Sequence, residues 1–340
     1  MKAVLLEGAG RASVKDLSIP SLQGGDLLVE MKACGLCGSD LEKIHGDYTA
    51  APPILGHEAV GIVKEVGDGV EAFHEDERIF PHHHVPCYEC EHCRRGSETM
   101  CPEYREWHLD PGGFSEYFRV PAWNVEHGGI LMLPDSISFE EGSFIEPLAC
   151  CLRALDRFEV QEGGDVLVAG AGPMGLLALQ LLRRYGAGRV MVSEVSPYRL
   201  EYADRMGADV VLNPMEVNVP REILRMTDRT GVDLAVVATG SPKALKQAMQ
   251  SVRRGGRIGL IGIPEEGSSL EGISELVTRE ISLLSSNAAT ERETKRALDM
   301  ISEGVIDVES MVTHRVPLGE FPEAVELAQK AESIKVVVVP

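Results

Sequence analysis

The sequence predicts an α/β protein with a doubly wound parallel sheet beside a β-rich N-terminal region, and three observations carry the prediction. Strand-like and helix-like segments alternate from about Leu152 to Ser285, the pattern of a parallel sheet with crossover helices. Before about Glu140 short apolar runs are punctuated by glycine and proline, and helical periodicity is nearly absent. Between Asp165 and Glu194 a strand, a glycine turn, a helix and a second strand follow without a break.

That third stretch organises the rest. Asp165 to Ala169 is a short apolar strand, Gly170-Ala171-Gly172-Pro173-Met174-Gly175 has the form GxGxxG, and Leu176 to Arg184 has helical composition. Gly170 permits the tight turn, Gly172 lets backbone N–H groups approach a pyrophosphate at the helix N-terminus, and Gly175 lets helix and strand pack closely. Pro173, followed by Met174, sits in the first helical turn, where no backbone donor is lost. Arg189 to Glu194 forms the second strand, and its terminal acid lies nineteen residues beyond Gly175, where such folds hold an adenosine ribose. Glu194 is expected to accept from both ribose hydroxyls. The apolar run from 166 to 182 also has the composition of a buried hairpin or a membrane span. Its glycines, its proline and the Arg183-Arg184 stop oppose that, and it is shorter than the ~20 residues a span needs.

The other elements follow in order. Strands are predicted at Met1 to Leu6, Asp26 to Ala33, Ala59 to Val66, Phe114 to Val120 and Ile130 to Leu133, then at Asp209 to Leu212, Leu234 to Ala238, Gly256 to Ile261 and Ile281 to Leu284. Helices at Glu291 to Ser302 and Phe321 to Ala331 precede a last strand at Lys335 to Val339. Because the nucleotide sheet already has its six strands, this tail is expected to rejoin the first domain. The expected domains are therefore 1–151 with 286–340, and 152–285.

At 340 residues, a prior of ~150 residues per domain also gives two. A formal net charge of -20 repels phosphate backbones and anionic headgroups, which argues against nucleic acid and membrane partners. The apolar run after Met1 is too short for a signal peptide, and the chain reads as cytoplasmic. Eight cysteines, half of them in one loop, then suggest metal binding rather than disulfides.

Cys87-x2-Cys90-x2-Cys93-x7-Cys101 brings four thiolates within reach of one tetrahedral Zn²⁺ with no position left for water, a structural site. Glu89, Glu91, Glu98 and Glu103 around it weigh against a nucleic-acid-reading ribbon. The adjacent His82-His83-His84 is read as a surface cluster in preference to another metal site. A second constellation is scattered: Cys37-Gly38-Ser39-Asp40, Gly56-His57-Glu58 and Glu146-Pro147-Leu148-Ala149. One thiolate, one imidazole and one or two carboxylates make a zinc site that keeps a position open, and open sites do chemistry. Singly, Cys37 reads as a buried apolar residue and His57 as a satisfied core histidine; their joint presence beside a nucleotide fold favours catalysis.

Gly56-His57-Glu58-x2-Gly61-x5-Gly67-x2-Val70 resembles the signature of the zinc-dependent medium-chain alcohol dehydrogenases, and the cysteine loop and GxGxxG follow in that family's order across essentially the full chain. The resemblance implies a GroES-like catalytic domain, a Rossmann domain and a tail belonging to the former. Where the liver enzymes have a cysteine as third ligand, Glu146 stands here, as in the sorbitol, threonine and sugar dehydrogenase branch. Within that branch either Glu58 or Glu146 completes the sphere with Cys37 and His57. Two departures are visible. Glu75-Asp76-Glu77-Arg78 replaces the usual Gly-Asp before Arg-Val, and no Phe-Arg-Tyr segment stands near Ser285-Ser286-Asn287, which weighs against sorbitol itself. Trp107-His108-Leu109-Asp110 either shapes specificity or covers the structural zinc.

The expected activity is NAD-dependent interconversion of a secondary hydroxyl of a small polyol, sugar or hydroxy-amino acid with its ketone. A primary-alcohol or aldehyde enzyme and a non-catalytic nucleotide sensor are the alternatives. The resemblance implies Thr239-Gly240 and Ile261-Gly262-Ile263 near the nicotinamide, and Ser39 as the hydroxyl that passes the substrate proton on. Glu42 stands where many members carry a relay histidine. His45 is the preferred outlet because imidazole titrates nearer neutrality. Glu194 favours NAD over NADP, with Arg199 as a partial offset. A homotetramer or homodimer is implied, with Gly256 to Ile261 as the expected edge of contact.

Overall fold

The computed structural model of the chain describes residues 1–7, 11–45, 54–264, 269 and 271–340. It divides into two compact units, Met1–Ala149 with Ala289–Pro340, and Cys150–Ala288, the division falling within the helix Ile145–Phe158.

The second unit holds a six-stranded parallel sheet among the described residues. Its spatial order is Val210–Leu212, Val190–Ser193, Val166–Ala169, Val232–Val237, Val252–Leu260, Ser282–Ser285. In order of appearance that is 3-2-1-4-5-6, and the order reverses between Val166–Ala169 and Val232–Val237, the crevice where such sheets bind dinucleotides. The expected edge at Gly256 to Ile261 is corrected here: that strand lies between Val232–Val237 and Ser282–Ser285, and the latter is the edge. Strand-like composition identifies a strand but carries no information about its neighbours. Leu167, Met191, Val237 and Ile258 pack with Val219, Ile223 and Met249 in this unit's core. The helix Pro173–Arg184 ends at the paired arginines, and Arg183 donates to the carbonyls of Gly188 and Gly207.

In the first unit Leu27–Gly35 pairs with Glu58–Val66, Tyr117–Val120 and Lys335–Val339. The sheet continues through Arg78–Pro81 to Ile130–Met132 on one side and to Val312–Pro317 on the other. The valine run of Lys335–Val339 suits a strand buried on both faces, and it returns the chain to this sheet between Val312–Pro317 and Leu27–Gly35. Val29, Met31, Phe114, Phe118, Phe321, Val336 and Val338 form the core beneath it. Predicted helix Glu291 to Ser302 is present with the same limits, opened by a reciprocal Thr290/Glu293 cap. The helix Gly38–His45 lies in the region that showed almost no helical periodicity; only Ile44 is in the core, with Leu41 packed partly against it, and two apolar positions are too few to leave a pattern.

Candidate active site

Strand register assembles the first cluster. Gly35 lies opposite Glu58 and Cys34 opposite Ala59, so the exits of these two strands bring Cys37 and His57 together. Ligand atoms of Cys37, His57 and Glu58 all lie within 4.8 Å of one another. Glu146 is buried and its charge bears on Glu58, but it is outside that triplet.

Asp40 is the residue whose role sequence reasoning missed. It lies in the first turn of Gly38–His45 and accepts the N–H groups of Cys37 (3.2 Å) and Gly56 (3.1 Å). Its Oδ1 is 3.4 Å from His57 Nδ1. This fixes the imidazole with Nε2 left for a metal. Burial works against a charged His57, but Asp40 and Cys37 raise its pKa well above the usual value. Burial likewise opposes the Asp40 carboxylate, and His57 with Lys43 and the Gly56 N–H brings its pKa below normal. These charges favour a cation here, and thiolate, imidazole and carboxylate are a zinc donor set. Ser39 and Glu42 are half-buried and His45 is exposed on the same helix, spaced three apart along one face; His45 Nε2 meets Gln329 Nε2 at 2.7 Å.

The His82-His83-His84 surface assignment is corrected. His82 is 1% exposed, and its Nδ1 meets Glu291 Oε1 at 2.9 Å. His83 packs on His57 with ring centroids 5.1 Å apart, on His84 at 3.9 Å, and His84 packs on His108 at 5.1 Å. A row of imidazoles therefore runs from His57 through His83 and His84 to His108. Burial pushes the pKa values of His83, His84 and His108 down. The loop holding His108 divides its work, since Trp107 stacks on Trp123 at 5.7 Å while His108 turns to this row. Three adjacent histidines look solvent-facing in sequence; the ring-to-ring packing that leaves His82 buried and His83 and His84 half-buried is tertiary.

Cys87, Cys90, Cys93 and Cys101 form the other cluster, with Sγ atoms 3.5 Å apart in the pairs Cys90/Cys93 and Cys87/Cys101. Tetrahedral zinc with Zn–S of ~2.3 Å needs sulfurs about 3.8 Å apart, so the donor set fits. Cys87 Sγ accepts the N–H groups of Glu89 (3.4 Å) and Cys90 (3.3 Å), which hold it in place in the loop. The N–H of Cys93 and its neighbouring thiols lower Cys90 to about 7. Tyr88 and His82 both bond Glu291, and Arg292 reaches Glu98 at 3.3 Å, tying this lobe to the helix Glu291–Ser302.

In the second unit Gly170 adopts φ +101°, and a Cβ on Gly175 would fall 1.9 Å from the Gly170 carbonyl oxygen. Gly172 precedes the helix that starts at Pro173 and continues with Met174. Glu194 is 8% exposed and accepts N–H groups from Ala171 (2.8 Å), Val195 (2.8 Å) and Ser196 (3.0 Å). It thus joins the glycine turn to the end of the neighbouring strand. The Arg199 guanidinium lies beside Gly172, 3.8 Å from where a Cβ would stand. The turns after Val232–Val237 and Val252–Leu260 pack backbone against backbone: a Cβ on Gly262 would meet Thr239 at 2.5 Å, and one on Gly240 would meet the Ile263 carbonyl at 2.4 Å, with Ile261 just before. All these loops follow the C-terminal ends of parallel strands, the edge at which doubly wound sheets bind nucleotides.

A GroES-like unit with an open-site donor set and a Rossmann unit with its glycine turn define a zinc-type dehydrogenase. Residues 23–130 match the alcohol dehydrogenase GroES-like domain, and residues 173–303 match the zinc-binding dehydrogenase model. Sorbitol dehydrogenase of Bacillus subtilis is 31% identical over 100% of this chain and 97% of its own length. L-threonine 3-dehydrogenase of Pyrococcus abyssi is 32% identical over 96% of this chain and 94% of its own. Among solved structures, a Sinorhizobium meliloti chain described as a zinc-binding dehydrogenase and bound to NADP superimposes with a TM-score of 0.89 at 32% identity, covering 100% of this chain and 99% of that one. The chain belongs to the zinc-dependent medium-chain alcohol dehydrogenase family, in its sorbitol and threonine dehydrogenase branch.

Proposed function

We propose that the chain oxidises a secondary hydroxyl of a small polar polyol, sugar or hydroxy-amino acid to the ketone, reversibly, with NAD. The observation that carries this reading is the grouping of Cys37, His57 and Glu58 within 4.8 Å on a chain that also holds the glycine cradle. Relatives are named for sorbitol and for the 3-position of L-threonine; the threonine 3-hydroxyl is secondary and sorbitol carries secondary hydroxyls, which supports the substrate class. Cys37 and His57 hold the metal, with Glu146 or Glu58 as the third protein ligand, and Cys87, Cys90, Cys93 and Cys101 hold a second zinc that pins their lobe. Zinc at the first site supplies Lewis acidity to the substrate oxygen, and NAD supplies the hydride acceptor.

The protein's own part is binding and proton handling. Asp40 holds the His57 ring in place, Ser39 takes the hydroxyl proton, and Glu42 with His45 passes it outward along one helix face. Gly170, Gly172, Pro173, Met174 and Gly175 cradle the pyrophosphate, Glu194 and Arg199 flank the adenosine ribose, and Thr239, Gly240, Ile261, Gly262 and Ile263 border the nicotinamide. The row His83, His84 and His108 offers ring nitrogens to polar substrate groups; His83 Nδ1 and His108 Nε2 have no hydrogen-bond partner among the described residues.

Assembly into a dimer or tetramer in the cytoplasm completes the reading. Ser282–Ser285 is the sheet edge, and Leu283 on it is 37% exposed, an edge suited to pairing with a second copy. A panel of polyols, sugars and hydroxy acids read by NADH absorbance tests the activity. Purified protein that binds zinc but forms no NADH with any member would defeat it, and a monomer in sedimentation would defeat the assembly.

A further inference from the structure

The second unit carries an open pocket of about 470 Å³ at the N-terminal ends of Val232–Val237 and Val252–Leu260, the edge of the sheet opposite to the glycine turn. Arg229, Arg253, Arg254 and Arg279 line it, and Glu275 is the one acid beside them among the described residues, in a chain whose net charge is -20. Strand register makes the pocket. Val232 lies opposite Val252 but Leu234 opposite Arg257, so Arg253 to Gly256 bulge out of the ladder, and such bulges re-aim side chains. On the facing loop Asp228 and Arg229 adopt left-handed backbone at φ +48° and +66°, which costs a residue with a Cβ energy. Two of the arginines are fixed. Arg253 Nε donates to Asp233 at 2.6 Å and its Nη1 to the Arg254 carbonyl at 2.9 Å. Arg279 Nη1 donates to the Met249 carbonyl and to Glu275, each at 2.9 Å, and its Nη2 to the Val252 carbonyl. Asp233 and Glu275 balance these two charges. Arg229 and Arg254 are exposed, and among the described residues neither side chain has an ion-pair or hydrogen-bond partner. Two positive charges therefore stand uncompensated beside a rigid floor.

From this arrangement we propose that the pocket is a binding site for a small phosphate-bearing anion, separate from the nucleotide cradle. Guanidinium forks match phosphate oxygens bidentately, and two uncompensated charges match a phosphate dianion. Thr230 and Gln250 in the lining add neutral donors. The volume falls within the ~300–1,000 Å³ of small-molecule sites. The charge of the whole chain opposes polymeric ligands, because nucleic acid and anionic bilayers are repelled by it. A small anion responds instead to the charges within about 8 Å of it, the reach of electrostatics at physiological salt. Since the glycine turn follows the opposite ends of the same strands, the anion and NAD bind together.

The test titrates the full-length protein, saturated with NADH, with inorganic phosphate, inorganic pyrophosphate and phenyl phosphate at low ionic strength, read by calorimetry and equilibrium dialysis. NADH fills the cradle, and phenyl phosphate has no CH–OH group to be oxidised. Wild type should bind one anion per chain, with affinity falling as salt rises. Arg229→Gln combined with Arg254→Gln should weaken binding about tenfold or more, the size expected for lost charge-assisted hydrogen bonds, with NADH affinity unchanged. Both positions are exposed, so the double variant should fold. Arg254→Lys, which keeps the charge but not the fork, should fall between it and wild type. Tighter binding of phenyl phosphate than of inorganic phosphate would assign the site to an organic phosphate, and the reverse order to the free ion; either supports the site. No saturable binding of any of the three anions, or wild-type binding by the double variant, would overturn it.

Discussion

Asp40 Oδ1 lies 3.4 Å from His57 Nδ1, while the same carboxylate accepts the N–H groups of Cys37 and Gly56. One buried side chain thereby orients two of the proposed metal ligands, Cys37 and His57. Asp40→Asn keeps the shape but removes the charge that faces the imidazole, and outer partners of this kind are worth roughly 10–100-fold in metal affinity or activity. Zinc titration monitored by competition with a chromophoric chelator should show weakened binding at one of two sites. Unchanged affinity at both would remove Asp40 from this role.

The four-cysteine lobe predicts a separable effect. Cys93 is 8% exposed and Cys101 4% exposed, so Cys93→Ser or Cys101→Ser leaves a weaker ligand in a packed position. Structural zinc binding amounts to ~10 kcal/mol or more in small domains, and even a fraction of that makes a loss above ~2 kcal/mol the expected outcome in urea denaturation. One equivalent of zinc should be lost while NAD binding in the second unit persists. A variant with both zincs retained and wild-type stability would contradict the assignment.

Stability should fall with acidification through the imidazole range. Burial holds the folded-state pKa values of His83 and His84 well below normal, whereas both titrate near ~6.5 when unfolded. The unfolded chain therefore binds more protons as the pH drops below about 6.5, and each group then removes up to ~1.4 kcal/mol per pH unit. Their contribution is fully present above that pH and lost below it. Denaturation midpoints measured from pH 8 to pH 5 should show the fall, and His84→Gln should flatten it. An unchanged slope in that variant would mean that His84 protonates freely in the folded state.

The parts legible in the sequence were those whose chemistry is local. The glycine turn, its flanking strands and the cysteine spacing each sit within thirty residues, and local spacing is what motif reasoning reads. Cys37 and His57 were legible through the residues around them, though no spacing dictates that strands Leu27–Gly35 and Glu58–Val66 should align their ends. Lys335 and Glu58 are far apart in sequence and meet only because the last strand pairs with Leu27–Gly35, which pairs on its other side with Glu58–Val66. The histidine row and the order of the last two Rossmann strands are likewise products of packing and topology, on which hydrophobic patterning is silent.

Proton removal gives a kinetic prediction. Ser39, Glu42 and His45 are three residues apart on Gly38–His45, and exposure increases from the half-buried Ser39 and Glu42 to the exposed His45. Ser39→Ala should lower kcat strongly. His45→Ala should slow turnover most at low pH, where proton removal is hardest, and added imidazole should restore part of the rate. If Ser39→Ala is crippled while His45→Ala and Glu42→Gln keep the wild-type pH–rate profile, the proton leaves through water.

Cofactor choice is predicted to turn on Glu194 and Arg199. The Glu194 carboxylate is fixed by the N–H groups of Ala171, Val195 and Ser196, so it cannot swing away from a 2′-phosphate, and like charges in a confined site are unfavourable. The Arg199 guanidinium beside Gly172 acts in the opposite sense but has a long flexible stem. The fixed charge should prevail, and a difference of only ~1.4 kcal/mol gives tenfold preference for NAD. Glu194→Gln removes the repulsion while leaving an oxygen to accept from the backbone, and should raise kcat/KM with NADP relative to NAD about tenfold or more. Arg199→Ala should move the ratio the other way. Equal efficiency with both cofactors in the wild type would show that Arg199 outweighs the acid, in line with the NADP found in the Sinorhizobium relative.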